Sequence, residues 1–361
     1  MMKTLIGFTI ALLCLTLSAS ATVRYVSAYG GGQYTTLSAA YAAAVSGDTI
    51  LIGPGTYAES SIASSKRLAW VGAGWDQSKV TFSGYFGMAN TTANGSLVEG
   101  LRIQGDAYAG YALYLYNNVD SVTVRRCLLK STGNYGNVIY AYGAGRLYVE
   151  DCILIEAGAN SYGMVLTPNA ATLFRGCVFE YASANIDACF ENTSGLAGTL
   201  EIYNGVFLNQ FKIFDLTSGA QPVIGVNNIF YDWRASPTFG TYPGTSTFDY
   251  NASQTIAAPG TNTINIAADP FVNYDEALNF QEGISNLRLV PESGLIDTGH
   301  PNLFDPDASR SDFGAYGGPH PLVDNGVPPY PWAVDILLTP NLVGQGTDVN
   351  ATAVGRIGPQ Y

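Results

Sequence analysis

Histidine is almost missing from this chain: only His300 and His320 occur in 361 residues. A histidine general base, or a zinc site built on imidazoles, is therefore not expected. Basic residues are scarce too, 16 Lys and Arg against 28 Asp and Glu, and charged residues make up only 12% of the sequence. The resulting net charge of −12 disfavours nucleic acid, which needs a basic footprint, and tight electrostatic capture of polyanions. Beyond an N-terminal apolar run, no stretch approaches the ~20 apolar residues that span a bilayer.

What is present suits an exported β protein. Glycine (41) and tyrosine (24) are abundant. Lys3, an apolar run from Leu5 to Leu17 and then Ala19-Ser20-Ala21 read as a secretory leader over residues 1–21. The mature chain is thus expected outside the cell or at its surface, as a soluble monomer. Cys127, Cys152, Cys177 and Cys189 stay in it. Disulfides are the default for exported cysteines. Spacing argues otherwise for the first three.

Val122-Thr-Val-Arg-Arg-Cys127, Leu147-Tyr-Val-Glu-Asp-Cys152 and Thr172-Leu-Phe-Arg-Gly-Cys177 repeat one pattern at a period of 25 residues. A fixed period in this range marks a solenoid, and the alternating, β-branched and aromatic character marks its elements as strands. The row extends as Leu101, Cys127, Cys152, Cys177, Gly205 and Ile229. It reads as one inward line of small or apolar side chains, with the thiols free and buried. Two positions earlier stand Glu99, Arg125, Glu150, Arg175, Tyr203 and Asn227, four of which alternate in sign. Rungs about 4.8 Å apart would pair them across the coil, fixing register.

A second strand in each rung gives Gly110–Tyr116, Gly136–Tyr142 and Gly163–Thr167. Aligned by their glycines, Leu113/Leu115, Ile139/Ala141 and Met164/Leu166 point in. Tyr114, Tyr116, Tyr140 and Tyr142 point out and stack rung on rung. Glu191 and Asp215 follow near the same face. Exposed aromatic rings beside carboxylates can hold a sugar, the rings by stacking and the acids by hydrogen bonds. They also simply suit an exposed strand.

Two stretches carry a resemblance. "QYTTLSAAYAAAVSGDTILIGPGTYAES" resembles the N-terminal entry of right-handed parallel β-helix proteins of the pectin lyase-like superfamily, and "LAWVGAGWDQSKVTFSG" is similar to the rung that follows it there. "IDTG" and "DFGAYGGP" resemble the closing segment of exported bacterial members. The resemblance implies an all-β, right-handed parallel β-helix whose open end is plugged by a short helix, here from Thr35 or Thr36 to Val45. The domain is expected over residues 22–320. Residues 321–332, with Pro328-Pro329-Tyr330-Pro331, read as a stiff linker, and 333–361 as a short β tail similar to the start of an Ig-like module.

The resemblance also implies polysaccharide chemistry, as in pectate lyases, polygalacturonases and pectin methylesterases, but their signature residues are not found. No catalytic set is identified. For hydrolysis Glu191 and Asp215 are the best pair, and a two-residue offset on adjacent rungs would set their α-carbons about 8 Å apart. Asp305-x-Asp307-x-Ser309-x-x-Asp312 has partial calcium-loop spacing, with Arg310 where an EF-hand has glycine. No cofactor is otherwise expected. Three functions stay open: a non-catalytic protein binding polysaccharide or cell-surface glycan through Tyr114, Tyr116, Tyr140 and Tyr142; a polysaccharide lyase or glycoside hydrolase; and a structural or adhesive surface module.

Overall fold

The computed structural model describes residues 21–106, 110–116, 118–158, 163–167, 170–182, 188–192, 198–216, 221–339, 345–346 and 348–360. Of the residues read as a secretory leader, all but Ala21 lie outside them.

Three parallel sheets run along a solenoid, with ten, ten and eight strands among the described residues. Each full rung adds one strand to each sheet. A representative rung has Val122–Arg125 in the first sheet, Leu128–Ser131 in the second and Ile139–Tyr140 in the third. The next has Leu147–Glu150, Ile153–Glu156 and Val165–Leu166. Alternation puts Val122, Val124, Leu129 and Ile139 inside, each with no exposed surface. Inside the second sheet Phe179, Phe207 and Phe230 stack at 4.6 and 4.7 Å.

One left-handed residue turns the chain from the first sheet to the second. Gly100, Arg126, Asp151, Gly176, Asn204, Asn227 and Tyr250 hold φ between 50° and 66°. Such a backbone costs most residues about 1–2 kcal/mol, and glycine, asparagine and aspartate bear it best. The residue after each turn falls in a single inward row: Leu101, Cys127, Cys152, Cys177, Gly205, Asn228 and Asn251. The thiols are free and fully buried, so the row is a packing feature. Ellman's reagent is accordingly expected to titrate no thiol in the native mature protein and all four after denaturation; reaction of a native thiol would place the row at the surface.

The register corrects two expectations. Asn228, not Ile229, continues the cysteine row, and Val226, not Asn227, pairs with Tyr203. A buried amide fits there because all its groups are met. Asn228 Oδ1 accepts from Gly205 N at 2.8 Å, and its Nδ2 donates to Ile202 O and Asn251 Oδ1 at 3.1 and 2.9 Å. In the third sheet Val165 pairs with Ile139, so Leu166 shares the outward column of Tyr140 instead of pointing in. Met164 is in the core as expected.

The N-terminal end is plugged by a helix over Leu37–Ala43, shorter than expected because Ala44 already leaves helical geometry. Glu59 takes the Leu37 amide at 2.6 Å, setting a carboxylate at the helix start.

The chain beyond the last rung covers the coil. Ile266, Phe271, Tyr274, Leu287, Leu295, Phe313 and Leu322 pack on the outward residues of the second sheet, among them Leu128, Ile153, Val178, Val206 and Ile229. Under this cover Tyr274 donates to Asp232 at 2.7 Å, and Glu180 is fully buried.

Residues 299–328 then climb the ridge of left-handed turns from the last rungs to the first. His300 N donates to Asn227 Oδ1 at 2.7 Å, and Asn204 Nδ2 to Asp312 O at 2.8 Å. A Cβ on Gly176 would lie 2.4 Å from His320 O. Arg126 donates to Val327 O at 3.1 Å and Pro359 O at 2.9 Å, and Trp75 N donates to Asn325 O at 2.9 Å. The strap thus touches turn after turn along the coil. Past it, Trp332–Thr339 and Asn350–Arg356 form an antiparallel hairpin rooted by Trp332 on Val71 and Ala73 and by Arg356 on Asp76 at 2.6 Å.

Candidate functional site

Among the described residues the closing segment packs on the second sheet, while the third sheet has exposed outward side chains at Tyr116 and Tyr142. Its central column reads Gly87, Tyr114, Tyr140, Leu166, Glu191, Asp215 and Thr241, each in register with the next. Because Leu113 and Leu115 fill the core, the residue between them and the one after them must face out. Tyr114 and Tyr140 stack at 5.3 Å and 8°, and Tyr116 and Tyr142 at 6.2 Å and 20°. Tyr114 and Tyr140 are half-buried, while Tyr116 and Tyr142 are 37% and 44% exposed.

Two more rings join. Tyr85 lies 4.7 Å from Tyr114, and Tyr111 lies 4.7 Å from Tyr140. Sequence alignment by rung missed both, because Tyr111 precedes its strand and Tyr85 sits one rung earlier, before a strand whose central residue is Gly87. The neighbouring Gly84 and Gly110 were their only signal. The rings lean on each other, so the surface they offer is largely edges and hydroxyls. Partial burial, and then the neighbouring phenols, holds the hydroxyls of Tyr111, Tyr114 and Tyr140 above the usual phenol range. They are neutral hydrogen-bond donors.

Glu191 and Asp215 do share the tyrosine column. They are direct partners, without the two-residue offset read from the sequence, so their α-carbons stand about 4.8 Å apart rather than 8 Å. The offset assumed equal loops, and the loops differ. Asp215 is tied to Lys212 Nζ at 2.8 Å, and the Glu191 carboxyl lies over Gly163, where a Cβ would meet it at 2.8 Å.

The alternating charges of the first sheet form pairs. Arg125 Nη2 meets Glu99 at 2.9 Å, and Arg175 meets Glu150 one rung apart. Glu99 is buried. These contacts lock neighbouring rungs and engage Arg125 and Arg175 with carboxylates.

In the closing segment Asp305 accepts from Asp312 N at 3.1 Å and from Gly318 N, and Asp307 accepts from Ser309 N at 3.0 Å and its hydroxyl at 2.7 Å. Asp312 accepts from Asp297 N at 2.7 Å. Of the four residues read as a calcium loop, Asp307 and Ser309 close a local turn, and Asp305 and Asp312 accept from backbone amides elsewhere in the segment. Among the described residues no group of three or more His, Cys, Asp or Glu side chains is placed to hold a metal ion.

A pectate lyase, Pel9A, shares this architecture with a TM-score of 0.55 over 82% of this chain and 96% of that one, at 17% identity. The fold is a right-handed parallel β-helix of the pectin lyase-like kind. Pectin methylesterases from carrot (TM-score 0.46, 15% identity, 70% of this chain and 90% of that one) and from Aspergillus niger (0.42, 15%, 69% and 81%) overlay less well. No protein-family profile matches the sequence, and no curated protein matches it. Within the β-helix, then, the chemistry must be read from this chain's own side chains.

Proposed function

We propose that this protein is an exported β-helix that binds polysaccharide or a cell-surface glycan through the outward tyrosines of its third sheet, without turning it over. The observation that carries the reading is the cluster itself: Tyr85, Tyr111, Tyr114, Tyr116, Tyr140 and Tyr142 in mutual contact on an uncovered face. Aromatic groups contribute area at small conformational cost, and neutral phenols add fixed hydrogen bonds to hydroxyl-rich ligands. No helix of the described residues is long and apolar enough to cross a membrane.

A second reading is enzymatic. The solved neighbours are a pectate lyase and pectin methylesterases, and Glu191, Asp215 and Lys212 lie on the same face as the tyrosines. Asp215 is already engaged by Lys212 Nζ at 2.8 Å, so it does not stand open beside Glu191 as a second carboxylate.

A glycan array read with the wild type and the Tyr114→Ala/Tyr140→Ala double variant separates these. The expected result is retention of at least one glycan, a loss of roughly tenfold or more in the variant at unchanged circular dichroism, and no new reducing ends or unsaturated products. The tenfold figure takes ~1.4 kcal/mol for two rings. Product formation would replace the binding reading by the enzymatic one. Retention that ignores both tyrosines would leave the structural, adhesive role.

A further inference from the structure

We propose that the glycan held by the tyrosine face is an uncharged one, in contrast to the acidic polymer named for the pectate lyase that shares the fold. The inference rests on the binding reading above and adds its selectivity. It follows from where the charges of this face are spent.

From the rung of Tyr85 to that of Asp215, the described residues of the third-sheet strands and their flanking connections include four acidic ones, Asp106, Asp120, Glu191 and Asp215, and two basic ones, Arg146 and Lys212. Both cations are already engaged. Arg146 clasps Asp120 through Nε at 3.0 Å and Nη2 at 2.6 Å, and Lys212 holds Asp215 at 2.8 Å. The nearest lysine on the N-terminal side, Lys66, is turned away onto the capping helix, with Nζ 2.7 Å from Tyr41 O.

No cation is thus left among the described residues of this face to receive a carboxylate. The column that begins with Tyr114 and Tyr140 continues through apolar Leu166 into Glu191 and the Asp215–Lys212 pair, so a polymer lying along it meets no uncommitted cation among the described residues. A polyuronate placed there would lose the hydration of its carboxylates with no cationic partner to offset the loss. A neutral glycan loses nothing comparable. Its hydroxyls meet phenol hydroxyls and carboxylate acceptors, and its C–H faces meet ring edges.

The selectivity is testable by affinity electrophoresis of the mature protein at low salt. The gels would contain neutral polymers (mixed-linkage β-glucan, arabinoxylan, galactomannan, hydroxyethylcellulose) or anionic ones (polygalacturonate, alginate, carboxymethylcellulose). Hydroxyethylcellulose and carboxymethylcellulose share a backbone and so isolate the effect of charge. The expected result is retardation by at least one neutral polymer, reduced at least tenfold in Tyr140→Ala/Tyr142→Ala, and none by any anionic polymer. Tyrosine-dependent retardation strongest with an anionic polymer would overturn the inference while leaving the tyrosine face as the binding site. Retardation by nothing, or unchanged in the double variant, would remove the binding reading and the inference with it.

Discussion

Replacing Asn228 by leucine, a side chain of nearly the same shape, is expected to lower the melting temperature by roughly 4 °C. The row it occupies is otherwise thiol and apolar, so hydrophobicity alone would call the change harmless. The hydrogen bonds say the opposite. Leucine leaves Gly205 N and Ile202 O without the partners they have at 2.8 and 3.1 Å, and strips Asn251 Oδ1 of one of its two donors from residue 228. Each buried polar group left unpaired costs ~1–3 kcal/mol, so about 3 kcal/mol in all is a moderate expectation. Ile229→Val, on the adjacent residue, removes one buried methylene for about 1 kcal/mol and serves as the control. Calorimetry of both variants decides: equal losses would mean that the amide does no more than fill space.

The second large effect is on pH. Burial pushes the Glu180 carboxyl up to about 8, against a weaker opposing pull from Arg234, and burial pushes Asp151 up to about 8 despite Arg126 Nε at 3.9 Å. Glu156, also buried and facing inward, moves the same way. An acid whose folded pKa is raised binds more protons folded than unfolded. Its contribution is whole below the unfolded pKa of ~4.3 and is lost as pH climbs through the folded value. For Glu180 alone this is on the order of 5 kcal/mol between pH 4 and pH 9. Asp48 and Asp120 work in reverse. Amides at Asp48, and Arg146 at Asp120, hold them below the usual range, so their contribution is lost as pH falls below ~4. The melting temperature is therefore expected to peak near pH 4–5 and to fall steadily toward pH 9. Glu180→Gln should match the wild type at pH 4.5 and melt several degrees higher at pH 9. Parallel curves for the two proteins across that range would show that Glu180 is ionised in the fold.

Much of this was legible in the sequence because the solenoid repeats locally. The 25-residue spacing of the cysteines fixed three rungs, and with them the charge pairs Arg125–Glu99 and Arg175–Glu150 and the outward tyrosines. Legibility failed where a rung changed length. Between Cys177 and Asn251 the turn residues are Asn204, Asn227 and Tyr250, and an asparagine suits both the turn and the buried row behind it. Preferring an apolar residue for the row shifted that rung by one. The same error of one residue at Met164–Leu166 came from anchoring the strand on Gly163. The Glu191–Asp215 register was misread because the repeat changes length there, 28 residues from Cys177 to Gly205 against 25 before it. Least legible was the strap. Its local composition is that of a linker, and its partners lie as far as 250 residues away in sequence, as for Trp75 and Asn325.

That strap changes how the molecule comes apart. A coil of stacked rungs interacts mainly with nearest neighbours, so such a chain frays from either end and can melt in stages. Here Arg356 holds Ala73 across 283 residues of sequence, and Asn227, Asn204, Gly176 and Arg126 are bridged by one continuous segment. The first and last rungs therefore cannot loosen independently, and the stack behaves as a closed circuit with a single cooperative unit. The same circuit has a direction in time. Its closing contacts come from residues far downstream, so the early rungs wait, held by their neighbours alone, until the strap and the hairpin have been made.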